Sequence, residues 1–183
     1  MKNSLLTKRQ QNIRRVAFSG LLSSLAFLFM LVGAVTDILD LSMFIFASLC
    51  IVFAVIELGP RWSLLIWSVT SCLSLLLLPS KAAALIFLFG GIYPLAKAYL
   101  ERLPRALAWL LKLALFNLLL TAFLFILNRV LGLTDAGYAF TLLEYVMGNG
   151  AFILYDICLT ACITVYLLRL RRRIRIRGLR DDS

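Results

Sequence analysis

The sequence predicts an all-α fold: a polytopic membrane bundle of six helices with both termini in the cytoplasm. Three observations carry that prediction. Of 183 residues, 62% are apolar, and the mean hydropathy is +0.96. Long charge-poor runs recur, such as residues 16–35 and 113–127, and a run of about 20 apolar residues matches the roughly 30 Å hydrocarbon core of a bilayer. With six helices, seventeen of the nineteen Lys and Arg residues fall on one side of the bundle, only Lys81 and Arg129 falling outside that set. That asymmetry orients a membrane protein and also accounts for the net charge of +10, so no nucleic-acid partner is needed to explain it.

The elements follow from apolar runs and breakers. Residues 1–15 form a polar, basic N-terminal segment with Lys2, Lys8, Arg9, Arg14 and Arg15. A membrane domain over 16–170 follows, its first helix predicted at 16–35 and retained, because the run is too long for a signal peptide. An acidic turn containing Asp37 and Asp40 leads to a second helix at 41–58. Gly59-Pro60 stops that helix, since glycine suits the left-handed cap and proline follows one. The third helix covers 62–78 and the fourth 82–100. Gly90, Gly91 and Pro94 should kink or loosen the fourth, because Pro94 cannot donate to the carbonyl of Gly90. A basic linker at 101–105 precedes a fifth helix at 106–127. The long connection 128–150 ends in the breaker Gly148-Asn149-Gly150, with room for a short interfacial helix at 139–147. The sixth helix, 151–170, runs into an arginine-rich tail at 171–183. The arginines of residues 169–180 make anionic lipid the natural partner of that tail.

Several kinds of chemistry are disfavoured. The chain has no histidine, hence neither the usual general base nor the commonest metal ligand. Cys50, Cys72, Cys158 and Cys162 lie in apolar runs and read as small buried thiols, so no metal and no cofactor is expected. No GxxxxGK[ST] segment occurs, so the chain is not expected to hydrolyse ATP or to act as an enzyme.

The polar residues inside the runs are the candidate site. Asp156 stands within the sixth helix, where a carboxyl costs a few kcal/mol and should face the bundle interior or a cavity. Counted from helix starts, it falls in the outer half. Asn149, Thr160 and Thr164 share its face. Asn117, Thr121 and Asn128 make a similar stripe on the fifth helix, and Trp67, Ser71 and Ser74 one on the third. Such stripes either line a binding cavity or hold helices together. Asp156, Asn149, Tyr155, Asn117 and Trp67 are the expected substrate contacts. The outer connections carry Asp37, Asp40, Asp135 and Glu144 with Tyr138, Phe140, Tyr145 and Phe152, which is either a ligand rim or an interfacial aromatic belt. As a rim it suits a small, ring-containing, neutral or cationic solute. On the basic side, Glu57 and Arg61 are expected to pair, and Lys97, Glu101 and Arg105 to form a ladder. On the first helix, Ser19/Ser23 and Gly20/Ser24 are small-xxx-small pairs that admit a second helix.

From about Arg14 to Leu170, the chain resembles a substrate-binding S component of the energy-coupling factor importers, a family of ABC-type vitamin and micronutrient transporters. The resemblance rests on size, six helices, both ends inside and a basic start running into a small-residue first helix. It implies a small-molecule substrate captured from outside, with a transmembrane scaffold subunit and two ABC ATPases as partners. It also implies docking through the first helix, where the family's Ala-xxx-Ala motif corresponds to Gly20 and Ser24. The chain would then be a multi-pass protein of the bacterial cell membrane. The alternative is a non-transporting membrane scaffold of the cell-shape or division type.

Overall fold

The structure, a computed structural model, describes residues 2–36, 39–129 and 142–170. Every regular element among the described residues is helical, and six spans are long and apolar enough to cross a membrane: 10–36, 40–57, 60–77, 81–100, 105–127 and 142–168. This is the make-up of a multi-pass membrane protein. The acidic and aromatic residues Asp37, Asp135, Tyr138 and Phe140, and the tail from residue 171, lie outside the described residues.

Helix α1 (Lys2–Thr36) is longer than its apolar run, because residues 2–15 contain neither glycine nor proline to stop it. Helix α2 (Asp40–Glu57) ends as expected at Gly59, whose φ of 90° is left-handed, and Pro60 opens α3 (Pro60–Leu77). Ser80 begins α4 (Lys81–Gly90), its Oγ accepting from the Ala83 N–H at 3.2 Å. The fourth span does loosen where the sequence places Gly90 and Pro94. It divides into α4 and a short α5 (Tyr93–Leu100), with Pro94 in the first turn of the latter. Helix α6 (Arg105–Arg129) and α7 (Leu142–Val165) complete the set, α7 closing in a π-helical turn, Tyr166–Leu170.

The last helix departs from expectation. It begins at Leu142 rather than at residue 151, and Gly148-Asn149-Gly150 lies inside it. Neither glycine ends the helix, and Gly148 serves packing. A Cβ at Gly148 would stand 3.0 Å from Leu120 Cδ2 on α6, so the bare Cα lets the two helices approach. In a bilayer an interrupted helix leaves backbone groups unpaired at several kcal/mol each, which outweighs the roughly 1 kcal/mol propensity cost of a glycine.

Short turns make successive spans antiparallel, which gives the bundle two faces. The basal face carries the turns at residues 58–59 and 101–104 and the end of α7; the apical face carries residues 78–80 and the start of α7. Spans α1 to α4 form the dry core. Ala26, Ala47, Ala54 and Ala84 are fully buried there beside Met30, Ile51 and Phe87. The opposite surfaces expose Leu64, Leu65, Leu76, Leu110, Leu118 and Phe125, as lipid contact requires.

Candidate functional site

Asp156 is buried and far from alone. Tyr93 on α5 donates its hydroxyl to Asp156 Oδ1 at 2.5 Å. Lys97, one turn further along α5, donates to the same oxygen, to the Asp156 carbonyl at 3.1 Å and to Thr160 Oγ1 at 2.7 Å. Lys112 on α6 reaches both carboxylate oxygens, at 3.3 and 3.2 Å. Glu101, where α5 ends, receives Lys97 at 3.3 Å and Lys112 at 3.5 Å through one oxygen. Two lysines and two carboxylates therefore form a quartet of zero formal charge where α5, α6 and α7 meet.

Local structure explains why these groups converge. The break at Gly90-Gly91 lets α5 set its own direction, and Tyr93 and Lys97, four apart, then share one face. The break depends on glycine for a steric reason. A Cβ at Gly90 would lie 2.5 Å from Phe44 Cζ, and one at Gly91 would meet Trp67 at 3.1 Å. Aromatic rings close the cluster off from above: Phe152 packs edge-on to Tyr93 at 4.9 Å and stacks on Phe116 at 4.4 Å. Excluding water strengthens each charge interaction and raises the cost of leaving any one unpaired.

Apically, the seam between α6 and α7 continues as neutral polar pairs. Asn117 and Asn149 exchange two hydrogen bonds, each 3.0 Å, and the Thr121 and Tyr145 hydroxyls meet at 3.0 Å. As numbers rise on α6 they fall on α7, the register of antiparallel helices. The Lys112–Asp156 contact sits at the basal end of this ladder.

Of the five residues expected to touch substrate, Asp156, Asn117 and Asn149 thus share one seam. Tyr155 faces the other way, packing on Phe44 at 5.4 Å and Tyr93 at 5.8 Å. Its hydroxyl faces that of Ser48 on α2 without a well-formed hydrogen bond. Trp67 is engaged at the break, donating Nε1 to the Leu88 carbonyl at 3.1 Å. Gly20 and Ser24 are exposed on α1; Ser24 Oγ donates only to the Gly20 carbonyl at 2.9 Å, and nothing lies within 4 Å of a Cβ built on Gly20.

The structure corrects several expectations. Asp156 lies in the basal half of the bundle, level with Lys97 and Lys112, because α7 starts nine residues earlier than its sequence suggests. Lys97 and Lys112, counted above among the seventeen cations of one side, are only 1% and 5% exposed and lie inside the bundle; the asymmetry stays large without them. Glu57 accepts from the Tyr166 hydroxyl at 2.7 Å, and no ion pair joins it to Arg61. Of the expected ladder, the Lys97–Glu101 pair is present, but the second cation on Glu101 is Lys112 instead of Arg105. Lys81, on the apical side, caps α3 by donating to the Leu75 and Leu78 carbonyls at 2.9 and 3.1 Å. Cys50 is buried, whereas Cys72 is exposed on α3 and Cys158 and Cys162 are half-buried, all four as free thiols.

Tyr93, Lys97, Glu101 and Lys112 are the site residues that the sequence reading missed. Their signal was available. Lys97 and Lys112 both stand inside apolar runs, and a buried lysine needs a partner as much as a buried acid does.

No family model, no curated protein and no solved structure matches this chain.

Proposed function

We propose that the chain is the membrane substrate-binding subunit of an importer of the energy-coupling factor type, taking up a small vitamin-like or micronutrient solute. The observation that carries this reading is the quartet of Lys97, Glu101, Lys112 and Asp156 inside a membrane bundle. Ionisable groups at such depth are costly, and they concentrate on solute and ion pathways. The polar ladder above the quartet supplies a polar track from the apical face along α6 and α7, which the Asn117–Asn149 pair and the Phe152 and Phe116 rings close until the helices shift. The exposed Gly20–Ser24 face of α1 leaves room for a scaffold helix. Solute captured apically would be released basally when the bundle reorients against that scaffold. Two ABC ATPases on the partner side would drive the step, the chain itself being no enzyme. The charge asymmetry supports a basal face turned to the cytoplasm of a bacterial cell, where the arginine tail would meet anionic lipid.

Affinity purification of the tagged chain from its native membrane tests this. Two ABC-type ATPases and one scaffold subunit are expected to co-purify, and Gly20→Leu with Ser24→Leu to lose them. Recovery of cytoskeletal or wall-synthesis proteins instead would overturn the reading. One observation favours that alternative, a non-transporting scaffold: the quartet is neutral and the Asn117–Asn149 pair closed, as helix packing alone would have them.

A further inference from the structure

Glu101 is the odd member of the quartet. The side chains of Lys97, Lys112 and Asp156 are 2%, 7% and 4% exposed, whereas that of Glu101 is 44% exposed. Asp156 is gripped by three donors on two oxygens. Glu101 is held through one oxygen at 3.3 and 3.5 Å, longer than the 2.7–2.9 Å of a well-made charge-assisted hydrogen bond. It sits in the basal turn, where its carboxylate can return to water at little cost. Without it, two buried ammonium groups would face a single buried carboxylate, leaving a surplus positive charge that opens on the basal face.

We propose that the place held by the Glu101 carboxylate is a binding site for the carboxylate of a small organic anion. Glu101 is its built-in placeholder. An entering carboxylate accepts from Lys97 Nζ and Lys112 Nζ as Glu101 swings outward, so the buried charge stays balanced throughout. Asp156, fixed by the Tyr93 hydroxyl, stays in place and accepts from both ammonium groups, while Thr160 accepts from Lys97. The neighbouring surface selects the rest of the ligand. Lys112 Nζ lies 5.4 Å from the centroid of the Trp109 ring, and Trp109 is itself 42% exposed. An apolar or ring-bearing body can rest against that indole. The fitting class is a monocarboxylate with a planar apolar body.

This inference rests on the importer reading only in taking the anion to be the transported solute, poised at the basal face before release. The site itself is tested on the isolated chain, so either can fail without the other. Full-length protein in detergent, at fixed ionic strength, is titrated with benzoate and, separately, with the neutral isostere benzamide. Benzoate is expected to raise the unfolding temperature and benzamide to leave it unmoved; equal responses would overturn the site. Glu101→Gln removes the competing carboxylate and is expected to bind benzoate about tenfold tighter, the equivalent of relieving one weak charge contact. Unchanged or weaker benzoate binding in that variant also overturns it. Should Glu101→Gln not be recovered folded, the contrast between benzoate and benzamide on the wild-type chain decides alone.

Discussion

The two halves of the bundle are held together by different physics. Helices α1 to α4 pack through small residues and rings: Ala26, Ala47, Ala54 and Ala84 allow backbones to approach, and Phe44 fills the space that Gly90 leaves open. Among the described residues, the buried hydrogen bond there between side chains of different helices is the 2.9 Å contact of Ser23 with Thr70. Helices α5 to α7 pack on α2 through a smaller apolar core around Val52, Tyr93, Phe152 and Leu159. Their seam is a row of polar pairs ending in four charges. Lipid tails are as apolar as leucine, so hydrophobic burial does little to join helices in a membrane, and shape or polar pairing must do it. The first half uses shape and the second uses pairing. Shape fixes one arrangement, whereas hydrogen bonds and ion pairs can be exchanged for others, so the second half is the one suited to handling a solute.

The largest expected effect comes from breaking the quartet. Asp156→Leu leaves Lys97 and Lys112 with the loosely held Glu101 as their remaining carboxylate, and removing one partner of a buried ion pair typically costs about 3–5 kcal/mol. The variant should show a much lower thermal midpoint in detergent and poor recovery. The double variant Lys97→Leu with Asp156→Leu removes one charge of each sign and leaves Lys112 beside Glu101. It is expected to be clearly more stable than Asp156→Leu. Equal instability of the two would mean that shape, not charge balance, governs this half as well.

That difference also explains what was legible in the sequence. Spans and turns were readable because apolar length and breakers such as Gly59-Pro60 act locally. The break at Gly90–Pro94 was readable because a missing N–H is a local fact. Asp156 was readable as costly, but its partners were not, since Lys97 and Lys112 lie 59 and 44 residues away. Counting every cation toward the membrane's charge asymmetry concealed those two, because the positive-inside rule does not ask which charges are buried. The start of α7 was misread for a related reason. Gly148 and Gly150 count against a helix in isolation, and only the contact with Leu120 turns the first of them into a packing site.

The first half can be probed at Gly90. An alanine there would put its Cβ 2.5 Å from the Phe44 ring, and such overpacking costs about 1–3 kcal/mol. Gly90→Ala should therefore lower the thermal midpoint, by less than Asp156→Leu does. Phe44→Leu, made in the same chain, should recover part of the loss by vacating the space. No recovery would locate the requirement for glycine in the backbone of the break instead of in its neighbour. The position joins the two halves, since α5 takes its direction from this break and carries Tyr93 and Lys97 to Asp156.

The smallest effect is expected at the neutral rung of the seam. Asn117→Leu deprives Asn149 of its two interhelical bonds but leaves the bond from Asn149 Nδ2 to the Tyr145 carbonyl at 2.8 Å. Hydrogen bonds between membrane helices average about 0.6 kcal/mol, with about 1.7 as the largest measured. The single variant should thus lose on the order of 1 kcal/mol, and Asn117→Leu with Asn149→Leu should lose less, because no amide is then left without its partner. The same pair of variants separates packing from passage. If the rung is only an attachment between helices, solute binding by the purified chain should survive the double variant. If the ladder is the route from the apical face, the double variant should keep its thermal midpoint and slow the rate at which solute reaches the quartet, because two leucines would then block the polar track at its middle.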